Sequence, residues 1–189
     1  MNDNMIRHCV DWIGQSSLVG WYASQKLNGC FGWWDGAETG EFFNRDGGII
    51  KTPKWFKRDL PHGVFTGEIH AGLGAGMGNS NEGYKVVMTA VVQGGKWWSA
   101  VGPDKLPIRF TIFDAPNMVG TWPQRITYAW SCGSHFGGSV PFTRIESPKH
   151  LVEYMLRLKS INAEGACFSN PDEIGYHAGR TGSLLRWKF

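Results

Sequence analysis

The period of the hydrophobic positions changes several times along the chain, and each change marks an element. Ile6, Cys9, Val10 and Ile13 fall at helical spacing, so Met5 to Trp12 reads as a short helix. Ser16 to Gly20 reads as loop or short strand. Trp21 to Ala23 and Phe31 to Trp34 are apolar strands, and Asn28-Gly29 between them is a hairpin signal. Asp35-Gly36 is another such signal, leading into a strand at Glu41-Phe42-Phe43. Pro53 opens a helical turn at Lys54-Trp55-Phe56. Val64 to Ile69 is a short strand carrying one carboxylate, Glu68. Tyr84 to Val92 is ambiguous: its β-branched content favours a strand, while Tyr84, Val87, Met88 and Val91 share one helical face. Ile108 to Phe113 is an apolar strand ending at Asp114-Ala115-Pro116. Helices follow at Pro123 to Trp130 and Pro148 to Lys159. In the second, Ser147 caps, Pro148 suits the first turn, and Leu151, Val152, Met155 and Leu158 form the buried stripe. Gly165 to Phe168 and Leu184 to Phe189 are short strands. Strands and helices mixed without regular βαβ alternation predict an α+β fold with antiparallel sheets.

Composition narrows the class. The 189 residues are 42% hydrophobic and 19% charged, which fits one globular domain and excludes a disordered chain. Ten tryptophans offer large surfaces to bury or to stack on a ligand. A net charge of +3 is compatible with a polyanionic partner. The four cysteines form no C-x-x-C pair, so free thiols in a reducing cytosol are the simplest reading. No signal peptide follows the N-terminus, and no apolar run approaches about 18 residues, the length of a membrane span.

Several constellations carry little chemistry. The run Ala71-Gly72-Leu73-Gly74-Ala75-Gly76-Met77-Gly78 meets neither the Walker nor the dinucleotide spacing, and reads as a surface loop. The six histidines show no metal-ligand spacing. Gly133-Ser134-His135 is not a G-x-S-x-G elbow.

Five other pieces occur in order: Lys26-Leu27-Asn28-Gly29; Asn44-Arg45-Asp46-Gly47; Thr66-Gly67-Glu68-Ile69; Phe110 to Pro116; and Glu164-Gly165-Ala166-Cys167 with Leu184-Leu185-Arg186-Trp187-Lys188 behind it. Singly, each has an ordinary structural role. As a set the series resembles the nucleotidyltransferase motifs of ATP-dependent DNA ligases, the compact bacterial and phage type most closely. Those motifs read K-x-D-G, S-R-x-G, D-G-E-L, F-D-A-P, E-G-x-x and L-L-K-x-K. Pro53-Lys54-Trp55-Phe56 and the stretch from Tyr176 to Leu185 also match, so the resemblance runs from about Ser24 to Phe189.

The resemblance implies an ATP-grasp-like nucleotidyltransferase (adenylation) domain over residues 1–189, with no OB-fold domain behind it. It implies that Lys26 forms a lysyl-AMP intermediate with ATP. AMP then passes to a 5′-phosphate in nicked duplex DNA, and the 3′-hydroxyl seals the nick. Phe113 would stack on adenine, Gln25 would meet the adenine edge, and Glu68 would hydrogen-bond the ribose. Arg45, Arg186 and Lys188 would take up phosphate charge, and Glu164 would bind Mg²⁺. A cytoplasmic monomer acting in bacterial or phage DNA repair and replication is the expectation, with a separate protein supplying the OB-fold function. Departures stand beside the matches. Asn28 and Thr66 replace carboxylates, and Arg186 replaces a lysine. Asn28 also suits an RNA ligase. Loss of the two carboxylates suits a non-catalytic nick- or nucleotide-binding module.

Overall fold

The computed structural model describes residues 6–71, 81–101, 105, 107–132 and 137–189. Most of the glycine-rich run and Gly133-Ser134-His135 lie outside these residues. Two sheets carry the fold. The first holds β1 (Val10–Asp11), β2 (Tyr22–Lys26), β9 (Phe142–Arg144), β10 (Gly165–Ser169) and β11 (Leu184–Lys188), in the order β1-β11-β10-β2-β9. The second holds β3 (Gly29–Asp35), β4 (Glu41–Phe43), β5 (Ile49–Ile50), β6 (Val64–Ala71), β7 (Ile108–Asp114) and β8 (Gly137–Ser139), in the order β5-β4-β3-β6-β7-β8. Pairing is antiparallel except for β1 with β11 and β7 with β8.

Among the described residues four α-helices cover the sheets: α1 (Lys54–Lys57), α2 (Asn81–Gln93), α3 (Trp122–Ser131) and α4 (Pro148–Ser160); a 3-10 helix spans Gly95–Ala100. The larger core joins the second sheet to α1, α2 and α3 through Phe42, Phe56, Phe65, Phe110, Val87 and Ile126. A smaller core packs α4 on the first sheet through Leu158, Ala166, Phe168 and Leu185. Ser147 caps α4 by accepting from the His150 amide.

Most elements fall where the hydrophobic pattern places them, with three corrections. The stretch read as a helix from Met5 to Trp12 contains β1, and Arg7 makes an isolated bridge to Gly179. Pairing with β11 supplies hydrogen bonds that override the local helical spacing. The stripe of α4 includes Tyr154 rather than Val152, which is 57% exposed. The ambiguous stretch is a helix, α2, burying Val87, Ala90 and Val91.

The third correction concerns Asn28-Gly29. It is no hairpin, because β2 pairs with β9 and β10 while β3 pairs with β4 and β6. Leu27 and Asn28 instead carry the chain from one sheet to the other. Gly29 enters β3 opposite His70, so close that a Cβ there would stand 2.3 Å from the Ile69 carbonyl oxygen. Gly29→Ala is therefore expected to destabilise the protein by about 2 kcal/mol or more, read as a urea-unfolding midpoint. Gly138→Ala, where nothing lies within 4 Å of an added Cβ, serves as the control.

Candidate active site

Strand register assembles the site. Lys26 ends β2 opposite Gly165 of β10, and Gly165 lies opposite Lys188 of β11. Both lysines thus flank the start of β10, and the preceding residue, Glu164, sits between them. Its Oε2 accepts from Lys26 Nζ at 2.6 Å and its Oε1 from Lys188 Nζ at 2.9 Å. Burial alone would raise the Glu164 carboxyl, but the hydrogen bonds from Lys26 and Lys188 outweigh it and hold the group below its ordinary value. Gly165 is required here: φ is +156°, and a Cβ would stand 1.9 Å from the Trp187 carbonyl oxygen.

Between the sheets lies a cleft lined by Gln25, Lys26, Arg45, Glu68, Phe113 and Arg186. Six of the eight candidate residues therefore share one cavity; Glu164 is joined to it through Lys26, and Lys188 through Glu164. A larger cleft of about 740 Å³ on the other side of β2 holds only Gln25 of the set. Chemistry rather than size selects between them.

The second sheet supplies the facing wall. Glu68 on β6 and Phe113 on β7 point inward beside Phe31, whose ring centroid lies 6.2 Å from that of Phe113. Burial pushes the Glu68 carboxyl up to about 7, although the Lys26 and Arg45 charges pull it down. Arg45 stands on the loop after β4, its guanidinium 4.8 Å from the Phe31 ring centroid and Nη1 3.4 Å from His8 Nδ1. Asn44 shapes that loop by accepting from the Asp46 and Gly48 amides at 3.0 and 2.8 Å.

Arg186 differs from expectation in having a fixed partner. Its Nε donates to Asp11 Oδ1 at 2.5 Å, and that bond raises the guanidinium further. Thr66, at a position where the motif has a carboxylate, is buried in register with Asp114, and its hydroxyl has no hydrogen-bond partner among the described residues. A second carboxylate at that dry spot would lie across the strand pair from Asp114.

Sequence reasoning missed the support behind Phe113. Asp114 is buried and accepts from Arg125 through Nε at 2.6 Å and Nη2 at 3.0 Å, and from Arg7 Nη1 at 3.3 Å. Arg7 also pairs with Glu173. Arg7, His8, Cys9 and Tyr176 line the cleft as well. The spacing of Asp114 and Arg125, one ending a strand and the other inside the next helix, was the available signal. For the N-terminal residues the helical spacing hid it.

The solved structures decide the fold. One from a study of DNA binding by Lig E DNA ligases matches 97% of this chain and 68% of its own at 20% identity, with a TM-score of 0.75. The chain has the fold of ATP-dependent DNA ligases. The Chlorella virus DNA ligase-adenylate matches at 16% identity over 97% of this chain and 67% of its own, with a TM-score of 0.67. The ATP-dependent ligase of bacteriophage T7, solved with ATP, matches at 13% identity over 98% of this chain and 68% of its own, with a TM-score of 0.66. A curated DNA ligase of Haemophilus influenzae is 22% identical over 99% of this chain, which spans 63% of that relative. No protein-family model matches. Within this ligase fold the described residues contain no group of three or more His, Cys, Asp or Glu able to hold a metal ion. No described helix is long and apolar enough to cross a membrane.

Two outcomes follow from the buried carboxylates. Asp114→Ala leaves Arg125 buried and unpaired, so a loss of about 3–5 kcal/mol is expected in urea unfolding, with a smaller loss for Asp114→Asn. For Glu68 the folded value of about 7 lies above the ordinary 4.5, so protonation favours folding. Its contribution is full below pH 4.5 and is lost as pH rises through about 7. Against Glu68→Gln, the unmodified protein should lose melting temperature across that window.

Proposed function

We propose that the chain is the nucleotidyltransferase part of an ATP-dependent polynucleotide ligase, with Lys26 as the nucleophile. The observation that carries this reading is the Lys26–Glu164–Lys188 row, at 2.6 and 2.9 Å, opening into a cleft that also holds Glu68 and Phe113. A lone lysine beside a turn does not call for that arrangement. A residue that must attack a phosphate does.

Lys26 Nζ, once deprotonated, attacks the α-phosphorus of ATP. The bond to pyrophosphate breaks and a phosphoramidate forms. Glu164 orients the amine beforehand by accepting its hydrogen bond. Phe113 presents a face to the base, Gln25 meets the edge of the base, and Glu68 accepts from the ribose hydroxyls. Arg45, Arg186 and Lys188 draw charge from the phosphates. Arg186 reaches them by exchanging Asp11 for phosphate oxygen, an exchange open to a half-exposed pair.

The residues fit Mg²⁺ in one respect. That ion keeps several waters and takes one or two carboxylates together with substrate phosphates, and Glu164 is the carboxylate beside Lys26. When bound it supplies charge neutralisation at the phosphates. The transfer of AMP to a 5′-phosphate and the closure of the nick by the 3′-hydroxyl complete the proposed sequence. The basic balance of the chain suits a duplex contacted through its backbone.

Incubation with Mg²⁺ and α-labelled ATP should place acid-resistant label on the chain, and Lys26→Ala should abolish it. A parallel assay offers a pre-adenylylated nick in DNA, in an RNA–DNA hybrid and in single-stranded RNA. Sealing is expected with the DNA nick. Absence of both label and sealing would leave a non-catalytic binding module as the correct reading.

A further inference from the structure

Two buried polar atoms of residues that line the cleft have no hydrogen-bond partner among the described residues: Thr66 Oγ1 and Arg7 Nε. Thr66 is wholly buried on β6, and the Arg7 side chain is 4% exposed. The other side-chain atoms in that state, on Thr52, Trp98 and Ser139, belong to residues outside this cavity.

Asp114 explains why the fold itself satisfies neither atom. Its Oδ1 accepts from Arg125 Nε and the Ala115 amide, and its Oδ2 from Arg125 Nη2 and Arg7 Nη1. A carboxylate has room for about four hydrogen bonds, so these donors fill it. Thr66 is the register partner of Asp114 across the strand pair, and its hydroxyl finds no free oxygen there. Arg7 is pinned through its two other nitrogens, Nη1 on Asp114 and Nη2 on Glu173 and Ser183. The Nε–H is left over on a guanidinium that cannot turn without giving up those bonds.

Register says what the two atoms meet. Along β6, His70 lies opposite Gly29, Glu68 opposite Phe31 and Thr66 opposite Trp33. Glu68 is therefore nearer the crossing that carries Lys26, and Thr66 stands about 7 Å further along the strand. Strand β7 has an extra residue at that level: Thr66 pairs with Asp114 and Gly67 with Ile112, which leaves Phe113 as a bulge between them. With phosphate at Lys26 and ribose at Glu68, a base on Phe113 turns an edge towards Thr66 and Arg7. This rests on the reading of the cleft as a nucleotide site.

We propose that Thr66 Oγ1 and Arg7 Nε read the base, the arginine N–H donating to a ring nitrogen and the threonine oxygen accepting from the 6-amino group beside it. Adenine presents that acceptor and that donor side by side. Both protein atoms are dry and unpaired beforehand, so a base that offers the complementary pair is bound in preference to one that leaves either atom unmatched. Thr66 thereby acts on the choice of base, where the motif has a carboxylate.

The test uses the full chain with Mg²⁺ and either ATP or purine riboside triphosphate, which lacks the 6-amino group. Intact-protein mass spectrometry reads how fast each forms a lysine-linked adduct at limiting triphosphate. The unmodified protein should favour ATP, and Thr66→Val should narrow that preference about fivefold, the worth of one neutral hydrogen bond. Thr66→Val removes a buried hydroxyl that has no partner, so its urea-unfolding midpoint should hold or rise. The analogues 1-deaza-ATP and 7-deaza-ATP each lack one ring nitrogen flanking the 6-amino group, and at least one of them should react about fivefold more slowly than ATP. An unchanged preference in Thr66→Val, or a lowered urea midpoint, overturns the role of Thr66. Full reactivity of both deaza analogues overturns that of Arg7. Absence of any adduct from ATP on the unmodified protein is a separate result: it overturns the nucleotide reading, and the base-reading pair with it.

Discussion

A single buried carboxylate, Asp114, ties together the parts of the chain that shape the cleft. Arg125 grips it from α3 and also donates to the carbonyl oxygens of Gly120 and Gly175 at 2.8 and 2.7 Å. Arg7 reaches it from the N-terminal segment and holds Glu173 and Ser183 besides. Strand β7, helix α3, the first residues of the fold and the loop before β11 therefore share one knot of charge. Desolvating these groups is costly, and the cost is met only while every partner stays in place. The position of Phe113, one residue before Asp114, is a by-product of that requirement.

The row of Lys26, Glu164 and Lys188 is built on the opposite principle. Glu164 has two cationic partners rather than a closed ring of donors, and the side chains remain partly open to solvent. Such a pair is held less tightly and can exchange partners when a polyanion arrives. Glu68 is a third case, a carboxylate in a dry place whose nearest cations do not offset its burial. The three carboxylates thus differ in what surrounds them, and for Glu164 and Glu68 that difference moves the carboxyl in opposite directions.

Much of this was legible in the sequence where chemistry and period coincide. Ser147-Pro148 marks the start of α4, and the ordered series of motifs contains Lys26, Arg45, Glu68, Phe113 and Arg186, which the cleft gathers. What stayed hidden depends on partners remote along the chain. The N-terminal residues follow a helical spacing, yet β11 recruits them as a strand. Asn28-Gly29 has the composition of a hairpin, and only the pairing of β3 with β6 shows that the chain leaves one sheet there for the other. Arg7 and Cys9 enter the site by that same long-range pairing, which no local pattern encodes.

The crossing at Leu27 and Asn28 has a mechanical side. Lys26 is the last residue of β2 in one sheet, and Gly29 is the first of β3 in the other. A link of three peptide units spans at most about 11 Å, so the two sheets cannot part far at that point. Ser139 of β8 and Phe142 of β9 are joined across the sheets by a link of the same length, so the two sheets are held close at both crossings and any opening is least beside them. Lys26, the proposed nucleophile, borders one of these crossings. A ligand can enter and leave by moving the walls while Lys26 keeps its place and its aim.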